Sequence, residues 1–190
     1  MAAVFRFGCR LPRWRRLQLL LFLGIASLGC AQTGVRLTPH SSGALESAKI
    51  AVRRYCEMDA AGFRLSSDTA ARMRAVSLTQ ELLDWQGLVV ISNYQVESAR
   101  VNSRGVLVTV SYRVVGRFEN GDGFIAEPGT DTLELQAVSH GDEWKLSEDN
   151  EQLARPRILR ARVLKWLREQ ASAGNPEQKQ NLEQAIRGLQ

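Results

Sequence analysis

Few side chains in this sequence can move a proton at neutral pH, and where they stand limits what the chain could catalyse. The two histidines are His40, in a stretch rich in Thr, Gly and Pro, and His140, beside Gly141-Asp142 in a turn. Both read as solvated rather than catalytic. Carboxylates could take their place. Glu97, Asp131 and Glu134 fall in segments that alternate like strands, and Tyr55 falls on an apolar helical face. Glu134 stands between Leu133 and Leu135 and should face solvent, Asp131 opens its strand, and Glu97 lies where the alternation changes parity. Tyr55 reads first as a core aromatic, so no catalytic residue is assigned. No metal or other cofactor is expected. Two distant histidines and one mature cysteine give no zinc pattern. Asp122 in Asn120-Gly121-Asp122-Gly123 lacks the further acids of a calcium loop. No glycine-rich loop is set to cradle a phosphate. Cys56, among helical apolar residues and with no base near it in sequence, reads as a buried structural thiol.

The most unusual local feature is a cationic stretch from Arg155 to Arg168. Leu159, Val163, Trp166 and Leu167 make a narrow apolar stripe, and no acid appears before Glu169. Arg157, Arg160, Lys165 and Arg168 are therefore candidates for an anionic surface, either lipid headgroups or an acidic protein. In the alternative, the stripe packs on the domain and the arginines pair with Glu148, Asp149, Glu151 and Glu169.

These residues must be carried by a small set of elements. The run Val106–Phe118, VLVTVSYRVVGRF, has the period-two, β-branched pattern of a half-buried strand. Before it, a helix is predicted from Ser41 or Ser42 to about Ala61, with Leu45, Ala48, Val52, Tyr55 and Cys56 on one face and Gly62 ending it. A second helix is predicted from Ser66 to Leu83 or Trp85. From Leu88 the pattern turns to strand, with a bulge or bend between Ile91 and Tyr94. Asn102–Gly105 is a turn, Phe124, Ile125 and Pro128 fall in a loop that packs down, and Thr130–Ser139 and Trp144–Leu146 alternate again. A third helix is predicted from Pro156 to about Ser172, and Glu177–Leu189 reads as a weak, Gln-rich helical tail. The fold class is thus α+β, with helices on one face of a curved sheet of four antiparallel strands and a C-terminal helical extension.

A chain of 190 residues has room for one core. Its net charge of +5 resides in the N-terminus. Residues 1–31 hold five basic side chains and no acid, and the remainder carries 20 of each sign. A nucleic-acid partner is accordingly not expected. The Arg-rich start followed by LQLLLFLGIASL, too short to span a bilayer comfortably, reads as an export leader. Cleavage near Gly29–Ala31, lipidation at Cys30 and an uncleaved anchor all remain open. The expected organisation is a leader over 1–31, a tether over 32–41, an α+β domain over 42–150 and an extension over 151–190. The location is periplasmic or secreted, with lipid anchoring if Cys30 is modified.

The helix ending in Asp59-Ala60-Ala61-Gly62, the hairpin Val101–Val114 and the closing Asp142-Glu143-Trp144-Lys145-Leu146 together resemble the nuclear transport factor 2-like superfamily, with its polyketide-cyclase-like and ketosteroid-isomerase-like branches. The resemblance covers about Ala44 to Asp149. It implies a cone-shaped fold, in which a bent sheet wraps the helices and leaves an apolar pocket at its wide end. Tyr55, Glu97, Tyr112, Asp131 and Trp144 are the pocket candidates on that view. Tyr55 with a strand carboxylate is similar to the carbonyl-polarising, proton-moving groups of ketosteroid isomerases. Superfamily members include enzymes, carriers and interaction modules, so the fold does not select the function. The expectation is a non-enzymatic, exported module binding a small apolar ligand or a protein. An isomerase or lyase is the alternative, and a membrane-associated protein docking through the basic helix is a third reading. Candidate partners are the small ligand, a second copy through the open sheet face, and an anionic membrane surface.

Overall fold

The structure is a computed structural model that describes residues 42–66, 68–79, 87–119, 123–147 and 151–190. The leader, the tether and the lipidation candidate Cys30 lie outside the described residues.

Helix α1 (Ser42–Ala60) forms because Ala44, Ala48, Val52, Tyr55 and Cys56 recur at three- and four-residue spacing and are all buried. It ends where Gly62 turns left-handed at φ 75°, a conformation that costs glycine little, and a short 3-10 turn (Phe63–Leu65) follows. Helix α2 (Thr69–Val76) stops before the predicted end at Leu83 or Trp85, and those two residues lie outside the described residues. Ser77 leaves the helix in an extended conformation and bridges Leu146, so tertiary pairing at the sheet edge overrides helical propensity there.

Strands β1 (Gly87–Asn102), β2 (Gly105–Glu119), β3 (Phe124–His140) and β4 (Glu143–Leu146) are antiparallel neighbours. Strand β5 (Arg157–Leu159) adds to the far side of β1 in parallel, giving the order β4-β3-β2-β1-β5. The sheet is therefore mixed, which corrects the expectation of four antiparallel strands. The third helix is corrected with it. Residues 157–159 are strand, and helix α3 (Arg160–Ala173) starts only afterwards. The backbone N–H of Arg157 is claimed by a buried carboxylate, and Val89 donates to the Pro156 carbonyl at 2.9 Å. These contacts hold the segment extended.

Strand β3 starts earlier than the alternation suggests and runs through Pro128. Val114 pairs with Gly129 and Gly116 with Ala126, so Glu127 and Pro128 occupy an irregularity where the missing N–H costs no ladder bond. In β1, register shifts at Val90–Asn93 and Val96–Ser98 insert extra residues. Ile91, Tyr94, Val96 and Ala99 consequently all reach the same core despite their uneven spacing.

Bulges and twist curl the sheet into a half-barrel around α1, which touches all five strands. Val106, Val108, Val110, Tyr112, Leu133, Leu135 and Ala137 fill the space between sheet and helix. The other face is apolar only near the start of β1. There Leu88 and Val90 meet Val163 and Leu167 of α3 and Ala185 and Leu189 of helix α4 (Pro176–Leu189). Elsewhere that face is a polar ladder: Ser98 with Thr109, Arg100 with Glu134, and Asn102 with Gln136. Helix α4 is firmer than its composition suggests, because Asn175 and Gln178 cap it reciprocally and its buried side chains join the second core. No helix among the described residues is long and apolar enough to cross a membrane.

The two faces should respond differently to truncation. Leu135→Ala, at a site with no exposure, is expected to cost about 2–5 kcal/mol in urea unfolding. Arg100→Ala, which removes an exposed pair, is expected to cost about 1 kcal/mol or less.

Candidate functional site

The last turn of α1 aims three polar side chains into the interior. Tyr55, Cys56 and Asp59 share a face because they are spaced by three and four residues, and Asp59 is only 3% exposed. Its Oδ2 accepts the N–H of Arg157 at 2.8 Å, and its Oδ1 lies 3.4 Å from Nε of Arg64. The reversal at Gly62 brings Arg64 back against the helix it follows. One of its terminal nitrogens donates to the Tyr55 hydroxyl at 2.6 Å and the other to the carbonyl of Leu153. Arg157 in turn donates to Oδ2 of Asp131 at 2.8 Å, with its guanidinium 5.1 Å from the centre of the Tyr112 ring. The Tyr112 hydroxyl lies 3.2 Å from the sulfur of Cys56. One polar line thus joins α1, the turn after it, β2, β3 and β5.

Burial dominates the electrostatics of this line. It raises the Tyr55 hydroxyl well above the usual phenol range, with the Asp59 charge acting the same way. Burial also pushes the Cys56 thiol up to about 12, partly offset by the bond to Tyr112. The Tyr112 hydroxyl is raised by burial and by Cys56. Burial lifts the Asp59 carboxyl against the opposing pull of Arg64 and of the Arg157 N–H. Both phenols and the thiol are therefore neutral around pH 7 and hold their protons. In this state they supply neither a base nor a nucleophile.

Arg157 also forms the floor of a cleft of about 440 Å³, with Val89, Val114 and Pro128 as apolar walls and Arg117 and Asp131 among the polar ones. The rim charges are matched. Arg117 pairs with Glu119 at 2.9 Å and with Glu127, and Arg155 lies 3.5 Å from Glu119.

Of the pocket candidates named from sequence, Tyr55, Tyr112 and Asp131 are drawn together, with Arg157 and Cys56 as connectors. Glu97 is exposed, as is Glu134 in its pair with Arg100. Trp144 is half-buried beside Ile50 in a separate groove of about 250 Å³ between α1, α2 and β4. Among the anionic-surface candidates, Arg160, Lys165 and Arg168 are exposed on α3. Arg157 is not: it is 7% exposed, sits on a strand and is engaged by Asp131, which corrects its assignment to the basic helix. No group of three or more His, Cys, Asp or Glu among the described residues could hold a metal. Sequence reasoning missed Asp59, although a carboxylate at helical spacing from Val52, Tyr55 and Cys56 was a signal. Arg64 left none, since only the reversal at Gly62 turns it inward.

Removing one partner should expose the cost of the buried charges. Asp59→Ala is expected to destabilise by about 3–5 kcal/mol, because it leaves Arg64 uncompensated. The double variant Asp59→Leu/Arg64→Met should recover in urea unfolding the part of that loss due to the uncompensated guanidinium, and not the part due to the Arg157 N–H, which stays without its acceptor. Peptide mapping after alkylation at pH 8 should find Cys56 unmodified in folded protein and labelled in denaturant. In comparisons with known proteins, no family model, no curated protein and no solved structure matches this chain.

Proposed function

We propose that this chain is an exported, non-enzymatic binding module of the cell envelope, built on the cone of the nuclear transport factor 2-like superfamily, and that it holds a small, largely apolar ligand in the cleft over Arg157. The observation that carries the reading is the cleft itself, where the apolar Val89, Val114 and Pro128 share the lining with charged side chains and with Arg157, whose guanidinium Asp131 and Tyr112 hold in place. A fixed floor suits binding, because little ordering is left for the ligand to impose. The filled interior below it also favours binding over turnover. Val108, Val110 and Leu135 are fully buried, and the Tyr55 hydroxyl oxygen accepts from Arg64. The isomerase or lyase reading needs Tyr55 beside a free carboxylate, yet Asp59 is engaged by Arg64 and the Arg157 N–H, Asp131 is paired with Arg157, and Glu97 and Glu134 are exposed.

Gly129 gives a direct test, since it lines the cleft and a Cβ added there would meet no atom within 4 Å, leaving room for a larger side chain. Native mass spectrometry of protein purified from its own host should find a small-molecule adduct on the wild type. Gly129→Leu should lose the adduct and keep its melting temperature. A wild type with no adduct, or a leucine variant that retains it, counts against this function.

A further inference from the structure

We infer that the exposed face of α3 is a docking surface for anionic lipid headgroups, contacted by Arg160, Lys165 and Arg168. At about 100° per residue these three lie within an arc of about 140°, which also holds the exposed Ala161 and Ser172, the half-buried Leu164 and, at the far end of the helix, the buried Ala171. Neither Arg160 nor Arg168 has an ion-pair partner among the described residues, and Lys165 is 70% exposed. Glu169 is the one acid on the helix, lying 3.9 Å from both Lys165 and Arg162, so four cations face a single carboxylate.

The packing of α3 decides how such a surface works. Val163, Leu167 and Ala171 are buried, the first two in one core with Leu88, Val90 and Ile158, and Leu164 and Trp166 are half-buried against the same core, so most of the apolar stripe is spent inside the protein. No large apolar side chain of the helix is fully exposed, and attraction comes chiefly from charge, at about 1 kcal/mol for each basic side chain near an anionic surface. The same packing separates lipid from protein as the occupant. A protein interface is anchored by apolar or aromatic side chains at its centre. The large apolar side chains exposed among the described residues are Ile50 on α1 and Ile125 on β3, and neither is on this helix. A layer of anionic headgroups needs no such anchor, and the leader expected over residues 1–31 brings the chain to a membrane. The inference is independent of the cleft and of any ligand in it.

Vesicle sedimentation of the protein as purified from its own host, with the expected leader processed, tests it, comparing phosphatidylcholine with phosphatidylcholine containing phosphatidylglycerol. Wild type should bind the anionic vesicles at least about tenfold more strongly, and the preference should vanish at high salt. Arg160→Glu/Lys165→Glu/Arg168→Glu should abolish the preference and leave the melting temperature unchanged. Arg160→Lys/Arg168→Lys should keep it, as should Arg53→Glu/Arg54→Glu, which reverses exposed charge on α1. Any of four results overturns the inference: equal binding to both vesicles, a preference that survives the triple reversal, its loss in the α1 control, or retention by heparin without binding to the anionic vesicles.

Discussion

A single buried carboxylate holds the parts of this protein in register. Asp59 lies at the end of α1 with almost no access to water, and its two oxygens face a cation from the following turn and an N–H from β5. Placing an ion there is costly, and the arrangement persists only because each charged group meets a partner on a different segment. Arg64 is shared between Asp59, the Tyr55 hydroxyl and the Leu153 carbonyl, so the residues before and after the sheet meet through one side chain. Apolar side chains could fill the same volume. They would not discriminate between neighbouring registers of the C-terminal segment, as a directional bond to one N–H does.

That constraint explains why β5 exists. Three residues paired with β1 have little stability of their own, and a chain of Arg, Ile and Leu leading into a helix has good reason to continue as helix. The Asp59 bond to the Arg157 N–H, with the Val89 bond to the Pro156 carbonyl, keeps this stretch extended and sends the Arg157 side chain under the curl of the sheet. There it stacks on Tyr112 and reaches Asp131 on β3. The same three residues therefore complete the floor of the cleft and set the point at which α3 departs.

The C-terminal segment consequently serves two surfaces at once. Through β5 it extends the sheet beyond β1, and through α3 and α4 it covers the apolar part of the sheet's other face among the described residues. Consuming the apolar stripe of α3 in that second core leaves the basic residues as the helix's outward chemistry. The two candidate functional regions, cleft and basic face, thus share a structural origin without sharing residues: Arg157 belongs to the first, and Arg160, Lys165 and Arg168 to the second.

The sequence by itself determined the elements whose side-chain period is sustained over many residues. Helix α1, strand β2, the bulged parity change in β1 and the turn at Gly105 were all legible, because apolar periodicity and glycine conformation act locally. It also determined that Cys56 would be a core thiol and Glu134 a surface carboxylate. Tertiary structure decided what depends on partners far along the chain. Ser77 became extended because Leu146 was there to pair with it, and Pro128 entered a strand because the ladder slips beside it. Arg157 turned from a helix surface to the interior because Asp59, 98 residues earlier, required its N–H. Local propensity is worth a few tenths of a kcal/mol per residue, whereas an unpaired buried charge costs several, so the buried carboxylate prevailed wherever the two conflicted.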